Sequence, residues 1–179
     1  MSNLLGLEEE RPANQSDAAA AYQNEELEGQ LRSGANWFYW IAGLSAINSF
    51  IYMGGSDVSF LAGLGFTQLA EALVDAGIES GLPSGLRIVA VVLNFIVVAM
   101  FGLFGYYANK RFSTAFITGI VLYLLDGLLL LLLGVLFSAG FHAFALFFIV
   151  RGFLACRTLN SQPKGVSGFQ TPPPPPAAA

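Results

Sequence analysis

The sequence predicts an all-α membrane protein, a bundle of four transmembrane helices running up-down-up-down with an extracytoplasmic amphipathic helix between helices 1 and 2. Three observations predict it. The chain of 179 residues is 55% hydrophobic and only 11% charged, whereas soluble domains carry about a quarter charged residues. Its apolar residues gather in four runs, over 36–53, 86–107, 112–137 and 141–157, each near the ~20 residues needed to cross ~30 Å of hydrocarbon. The basic residues fall on alternate connections between those runs, as the positive-inside rule requires of a four-pass chain.

Taken in order, residues 1–34 hold Glu8, Glu9, Glu10, Asp17, Glu25, Glu26 and Glu28 against Arg11 and Arg32. This composition reads as a disordered acidic cytoplasmic tail, with a short helix over 17–31 as the alternative. It lacks the basic start and short apolar core of a cleaved signal. The membrane domain is expected over 35–157. Its first span opens on Trp37, Tyr39 and Trp40, and its second closes on Tyr106 and Tyr107. These five are candidate interface anchors, because amphipathic rings favour the headgroup level. The third and fourth spans should reverse near Ser138-Ala139-Gly140.

The connection over 54–85 is too long to be structureless in a compact protein. Phe66, Leu69, Ala70, Leu73, Val74 and Ile78 fall at helical spacing, and Thr67, Glu71, Asp75 and Glu79 repeat on the opposite face. The pattern predicts an amphipathic helix capping the outer surface, ended by Pro83 with Gly81 and Gly85. The apolar stretch 58–66 is short enough for a re-entrant piece. Residues 158–179 end in Pro172–Pro176, which favours an extended, disordered cytoplasmic tail.

Orientation follows from Arg32, Lys110, Arg111, Arg157 and Lys164. They place both termini and the 108–111 connection in the cytoplasm. The formal net charge is −4 and no basic face exists, so the bilayer is the expected partner and nucleic acid is not. A second copy of the chain or another membrane subunit is the further partner to expect.

Chemistry centres on Asp126 and Arg151, each inside a strongly apolar run. A charge at the bilayer centre costs several kcal/mol, so such residues are usually paired or functional. A reversal near residue 139 puts the two at equal depth and predicts a buried ion pair. Asn48 and Asn94 give the other two spans one strongly polar residue each, and amides bond across membrane helices. Small residues, among them Gly43, Gly102, Gly105, Gly119 and Gly127, favour close helix packing. His142 falls just past the expected turn, at the outer surface and ~20 Å from Asp126 by helix rise. The lone Cys156 excludes a disulfide within the chain and a multi-cysteine metal site. No nucleophile elbow, zinc-binding HExxH helix or phosphate-binding loop is present, so neither cofactor nor metal is expected.

The stretches Asn36-Trp-Phe-Tyr-Trp-Ile-Ala-Gly-Leu-Ser-Ala-Ile-Asn-Ser49, Gly63-Leu-Gly-Phe-Thr-Gln68 and Ala145-Leu-Phe-Phe-Ile-Val-Arg-Gly-Phe-Leu-Ala-Cys-Arg157 resemble parts of uncharacterised bacterial four-span integral membrane proteins. The resemblance covers about residues 35–160 and implies a bacterial inner-membrane setting, with no activity to carry over. The expected role is non-enzymatic, an accessory or scaffold subunit held by the Asp126–Arg151 pair. The alternative is a small oligomeric transporter or channel using Asp126, Arg151, Asn48 and Asn94, and a membrane enzyme using Asp126 and His142 comes third.

Overall fold

The computed structural model describes residues 11–54 and 64–162. Among them are five helices and no strand: α1 (Arg11–Met53), α2 (Gly65–Glu79), α3 (Leu86–Asn109), α4 (Ser113–Leu132) and α5 (Leu136–Ser161). α1 packs along α3 and α5, and α4 closes a ring by packing on the same two helices. α2 is inserted against α3 and α4. α1 runs antiparallel to α3, since Asn109 donates to Asn36 at one end and the rings of Phe50 and Phe95 meet at the other.

The long α1 corrects the expected tail, because residues 11–34 are helical. Leu27, Leu31, Ala35, Phe38 and Ala42 recur at helical spacing and pack in one core with Ala155, Cys156 and Leu159 of α5. The acidic residues of this segment masked that stripe. α5 likewise continues past residue 157 to Ser161, and the proline run lies outside the described residues.

The third reversal is also corrected. α4 ends at Leu132 and α5 begins at Leu136, so Ser138, Ala139 and Gly140 are helical. Gly134 has φ +75°, and Val135 N–H reaches back to Leu130 O at 3.0 Å. This left-handed residue followed by a back-bond is a Schellman stop. Gly81 and Arg111 end α2 and α3 in the same way, with φ +106° and +64°. Arg111 does so at a cost of about 1–2 kcal/mol, since only glycine is free of strain there.

Where α1 crosses α5 the backbones nearly touch. A Cβ added at Gly152 would lie 2.7 Å from Gly34 Cα, and one at Gly34 would lie 2.6 Å from Gly152 Cα. Gly105 and Gly119 make room for the rings of Tyr39 and Phe38. Gly43 and Gly102, which the sequence reading placed in packing contacts, have nothing within 4 Å.

The interior changes character along the bundle. Towards the α3–α4 turn it is apolar, with Phe38, Phe101, Phe116 and Ile149 buried. Towards the other end the buried residues include Ser45, Asn48 and Ser49 of α1, Thr67 and Glu71 of α2, and Asn94 of α3. The outward positions there are apolar: Ile47, Phe50, Phe66, Leu73 and Leu93 are all exposed. α3, α4 and α5 are each long and apolar enough to cross a membrane, and no more than 33% of their most apolar windows is buried inside the protein.

Candidate functional site

α2 begins inside the bundle. The first N–H groups of a helix have no intrahelical partner, and Leu64, which precedes α2, supplies no side-chain cap. Neighbouring helices supply it instead. Leu64 N–H donates to Ser45 Oγ of α1 at 3.0 Å. Gly65 N–H donates to Asp126 Oδ2 at 2.8 Å, and Phe66 N–H to Asp126 Oδ1 at 2.7 Å. Thr67 Oγ1 closes the turn on Leu64 O at 2.7 Å. A carboxylate here also faces the positive end of the helix dipole. Gly65 is required for this approach, because a Cβ there would lie 2.4 Å from Leu130.

The partner of Asp126 is His142, whose Nε2 lies 2.8 Å from Oδ2 with both side chains buried. Its Nδ1 lies 2.8 Å from Ser138 O. A carbonyl only accepts, so Nδ1 carries a proton. One proton shared between Nε2 and Oδ2 then makes the pair neutral overall, written either as carboxylate with imidazolium or as acid with imidazole. Tyr123 stacks on the imidazole, with ring centroids 4.2 Å apart and planes 20° apart. A cavity of about 350 Å³ lies beside this pair, between the start of α2 and helices α3 and α4. Asp126 is on its wall, and the other lining residues among those described are apolar.

The expected Asp126–Arg151 pair is therefore corrected: Arg151 is exposed, and Asp126 is bonded to α2 and His142. The turn explains the exchange. Asp126 and His142 are 16 residues apart and centred on Gly134, whereas a turn at residue 139 would have centred Asp126 on Gly152, beside Arg151. His142 is correspondingly buried, not at an outer surface. Asn94 is buried and donates to Glu71 Oε1, and Asn48 is buried near the same end of α1. At the rim, Asp75 Oδ1 accepts from Tyr52 Oη at 3.0 Å and Arg87 Nε at 2.9 Å, tying α1, α2 and α3 together.

Of the aromatic anchors, Tyr39, Trp40, Tyr106 and Tyr107 are exposed. Trp37 instead stacks on Phe148 and meets Phe144 edge-on. Cys156 is buried, with its thiol directed at Arg111 O. Sequence reasoning took Ser45 only as a small packing residue, put Glu71 on the polar face of a surface cap, and placed His142 far from Asp126. The available signals were the Ser45/Asn48/Ser49 and Thr67/Glu71 spacings, which put polar groups on one face each, and Gly134 as a helix stop.

Comparison with family models, with curated proteins and with solved structures found no match.

Proposed function

We propose that the chain is an integral membrane protein in which α1, α3, α4 and α5 span the bilayer up-down-up-down and α2 re-enters from the outer side. In this reading the Asp126–His142 pair is a structural clamp, and the role is that of a non-enzymatic accessory or scaffold subunit. One observation carries it: two N–H donors of α2 and the His142 ring of α5 converge on the Asp126 carboxyl. In hydrocarbon an unsatisfied backbone group costs several kcal/mol, and a broken helix is tolerated where protein buries its end.

The inverted polarity supports the membrane setting, with Thr67 and Glu71 facing inward and Phe66 and Leu73 outward. α2 is amphipathic with its apolar side towards lipid, not laid polar side up on water. Exposed Tyr39, Trp40, Tyr106 and Tyr107 mark the inner headgroup level. From Phe112, which packs on Tyr107, α4 rises roughly 20 Å to Asp126, within the ~30 Å hydrocarbon slab. Arg32, Lys110, Arg111 and Arg157 lie towards that inner end, which by the positive-inside rule supports reading it as cytoplasmic, with a bacterial inner membrane as the proposed setting.

A catalytic acid–His pair needs one ring nitrogen for the substrate. Both nitrogens of His142 face acceptors inside the protein, which favours a clamp over a catalyst. The apolar walls of the neighbouring cavity weigh against an aqueous path past Asp126, and so against the transporter or channel alternative.

The test is a stability cycle in detergent on Asp126→Asn, His142→Gln and the double variant. Removing one partner of a buried pair costs about 3–5 kcal/mol. The double loss should fall short of the sum of the singles by at least ~1 kcal/mol. Additive losses would refute the clamp.

A further inference from the structure

The cavity beside Asp126 has no part in the clamp. Its volume of about 350 Å³ is far beyond the water-sized voids of a packed interior and at the small end of ligand pockets. Val97, Met100, Leu122 and Leu129 form much of its wall. Leu125 and Phe66 also line it and are 57% and 55% exposed, so its mouth opens on the apolar outside of the bundle. A molecule arriving there comes from the bilayer and must be soluble in it; this step rests on the membrane reading above.

The polar end of the cavity sets the second requirement. A carboxylate offers about four acceptor positions. Oδ2 of Asp126 meets the N–H of Gly65 and the Nε2 of His142, and Oδ1 accepts from the N–H of Phe66. Asp126 is the one polar residue among the described lining residues of the cavity, so its carboxyl is what a polar group in the cavity would meet. A group facing it must donate. Carboxylates, phosphates, ketones and ethers bring only acceptors and are disfavoured. An ammonium would add a full charge beside a pair that is neutral overall, in an apolar enclosure, and a hydroxyl would not.

We propose that this cavity binds a membrane-soluble alcohol, its apolar body between α3 and α4 and its hydroxyl donating to the Asp126 carboxyl. The full-length protein would be reconstituted in vesicles of phosphatidylcholine and phosphatidylglycerol and labelled with a diazirine-bearing decanol, and the modified peptides mapped. Labelling should concentrate on the Met100 and Leu125 segments. Unlabelled decanol should suppress it about tenfold more effectively than decyl methyl ether, the worth of one hydrogen bond to a charged acceptor. Val97→Phe, which fills the cavity and leaves Asp126 in place, should abolish the focus on those segments. Equal suppression by the ether would overturn the proposal and make the cavity a seat for lipid acyl chains. Unchanged labelling in Val97→Phe would overturn it by showing contact only with the outer surface. Resistance of the wild-type protein to alkaline extraction from the vesicles tests the membrane reading separately, so the two failures are distinguishable.

Discussion

Alanine at Gly152 tests the closest contact in the bundle. A Cβ there would lie 2.7 Å from Gly34 Cα, 3.2 Å from Gln30 O and 3.2 Å from Gly34 N. Carbon atoms rest at about 3.5–4.0 Å, so the first contact is short by roughly 1 Å. All three atoms are backbone, and no rotamer change relieves them. α1 must move off α5 by most of that distance, which loosens the packing of Leu31 and Ala35 against Ala155 and Leu159. Overpacking typically costs about 1–3 kcal/mol, and a clash between two helix backbones belongs at the upper end. Alanine also gains helix propensity over glycine, about 0.5–1 kcal/mol, so the net loss should be about 1–2.5 kcal/mol. Gly43→Ala and Gly102→Ala gain the same propensity and meet nothing within 4 Å, so they should be neutral or stabilising by up to ~1 kcal/mol. Reversible unfolding in mixed micelles, followed by circular dichroism, measures all three. If Gly152→Ala is as stable as Gly43→Ala, the helices do not cross at Gly34 and Gly152.

Two further perturbations probe other parts of the bundle. Glu71 is buried and accepts from the Asn94 amide, so Glu71→Ala should cost about 1–3 kcal/mol by leaving that donor unpaired. Glu71→Gln keeps an acceptor and should cost less, and equal losses on unfolding would refute the contact. At the α3–α4 turn, Arg111→Gly and Arg111→Ala both lose the ion pair with Glu28, but only glycine relieves the φ of +64°. The glycine variant should be about 1 kcal/mol more stable than the alanine variant, and equal stabilities would mean the turn is not left-handed there.

How much of this was legible in the sequence depends on the distance over which each signal acts. The runs that form α3, α4 and α5 were plain, because hydropathy over ~20 residues survives errors of several residues at either end. The partner of Asp126 was not, because it depends on the position of one turn. Moving the reversal from residue 139 to Gly134 slides α5 against α4 by ten residues, roughly 15 Å along its axis, and that exchanges Arg151 for His142. Gly134 and Gly140 look alike in sequence; only the first ends a helix, by adopting φ +75°. The spacing of Thr67 and Glu71 put the two on one side of α2, and both are buried, whereas Glu79, in the same series, is exposed. In α1, Leu27 and Leu31 carried the extension of the helical stripe beneath an acidic composition.

The polar core can be followed as one chain of consequences from starting a helix inside the bundle. Leu64, Gly65 and Phe66 bring three N–H groups to the bundle, and a buried donor left unpaired costs about 1–3 kcal/mol. Ser45 satisfies the first and Asp126 the other two. A carboxylate buried so deeply is itself costly, and His142 offsets it with the shared proton. The imidazole in turn has a second nitrogen to satisfy, and Ser138 O of the same helix takes it. Ser138 lies one turn before His142, in the segment that the stop at Gly134 makes helical. Moving that stop by five residues would unwind the acceptor, displace the histidine and leave the start of α2 without its carboxylate. The position of one glycine therefore bears on the docking of a half-helix some seventy residues earlier in the chain, and Asp126 is the residue through which the two are joined.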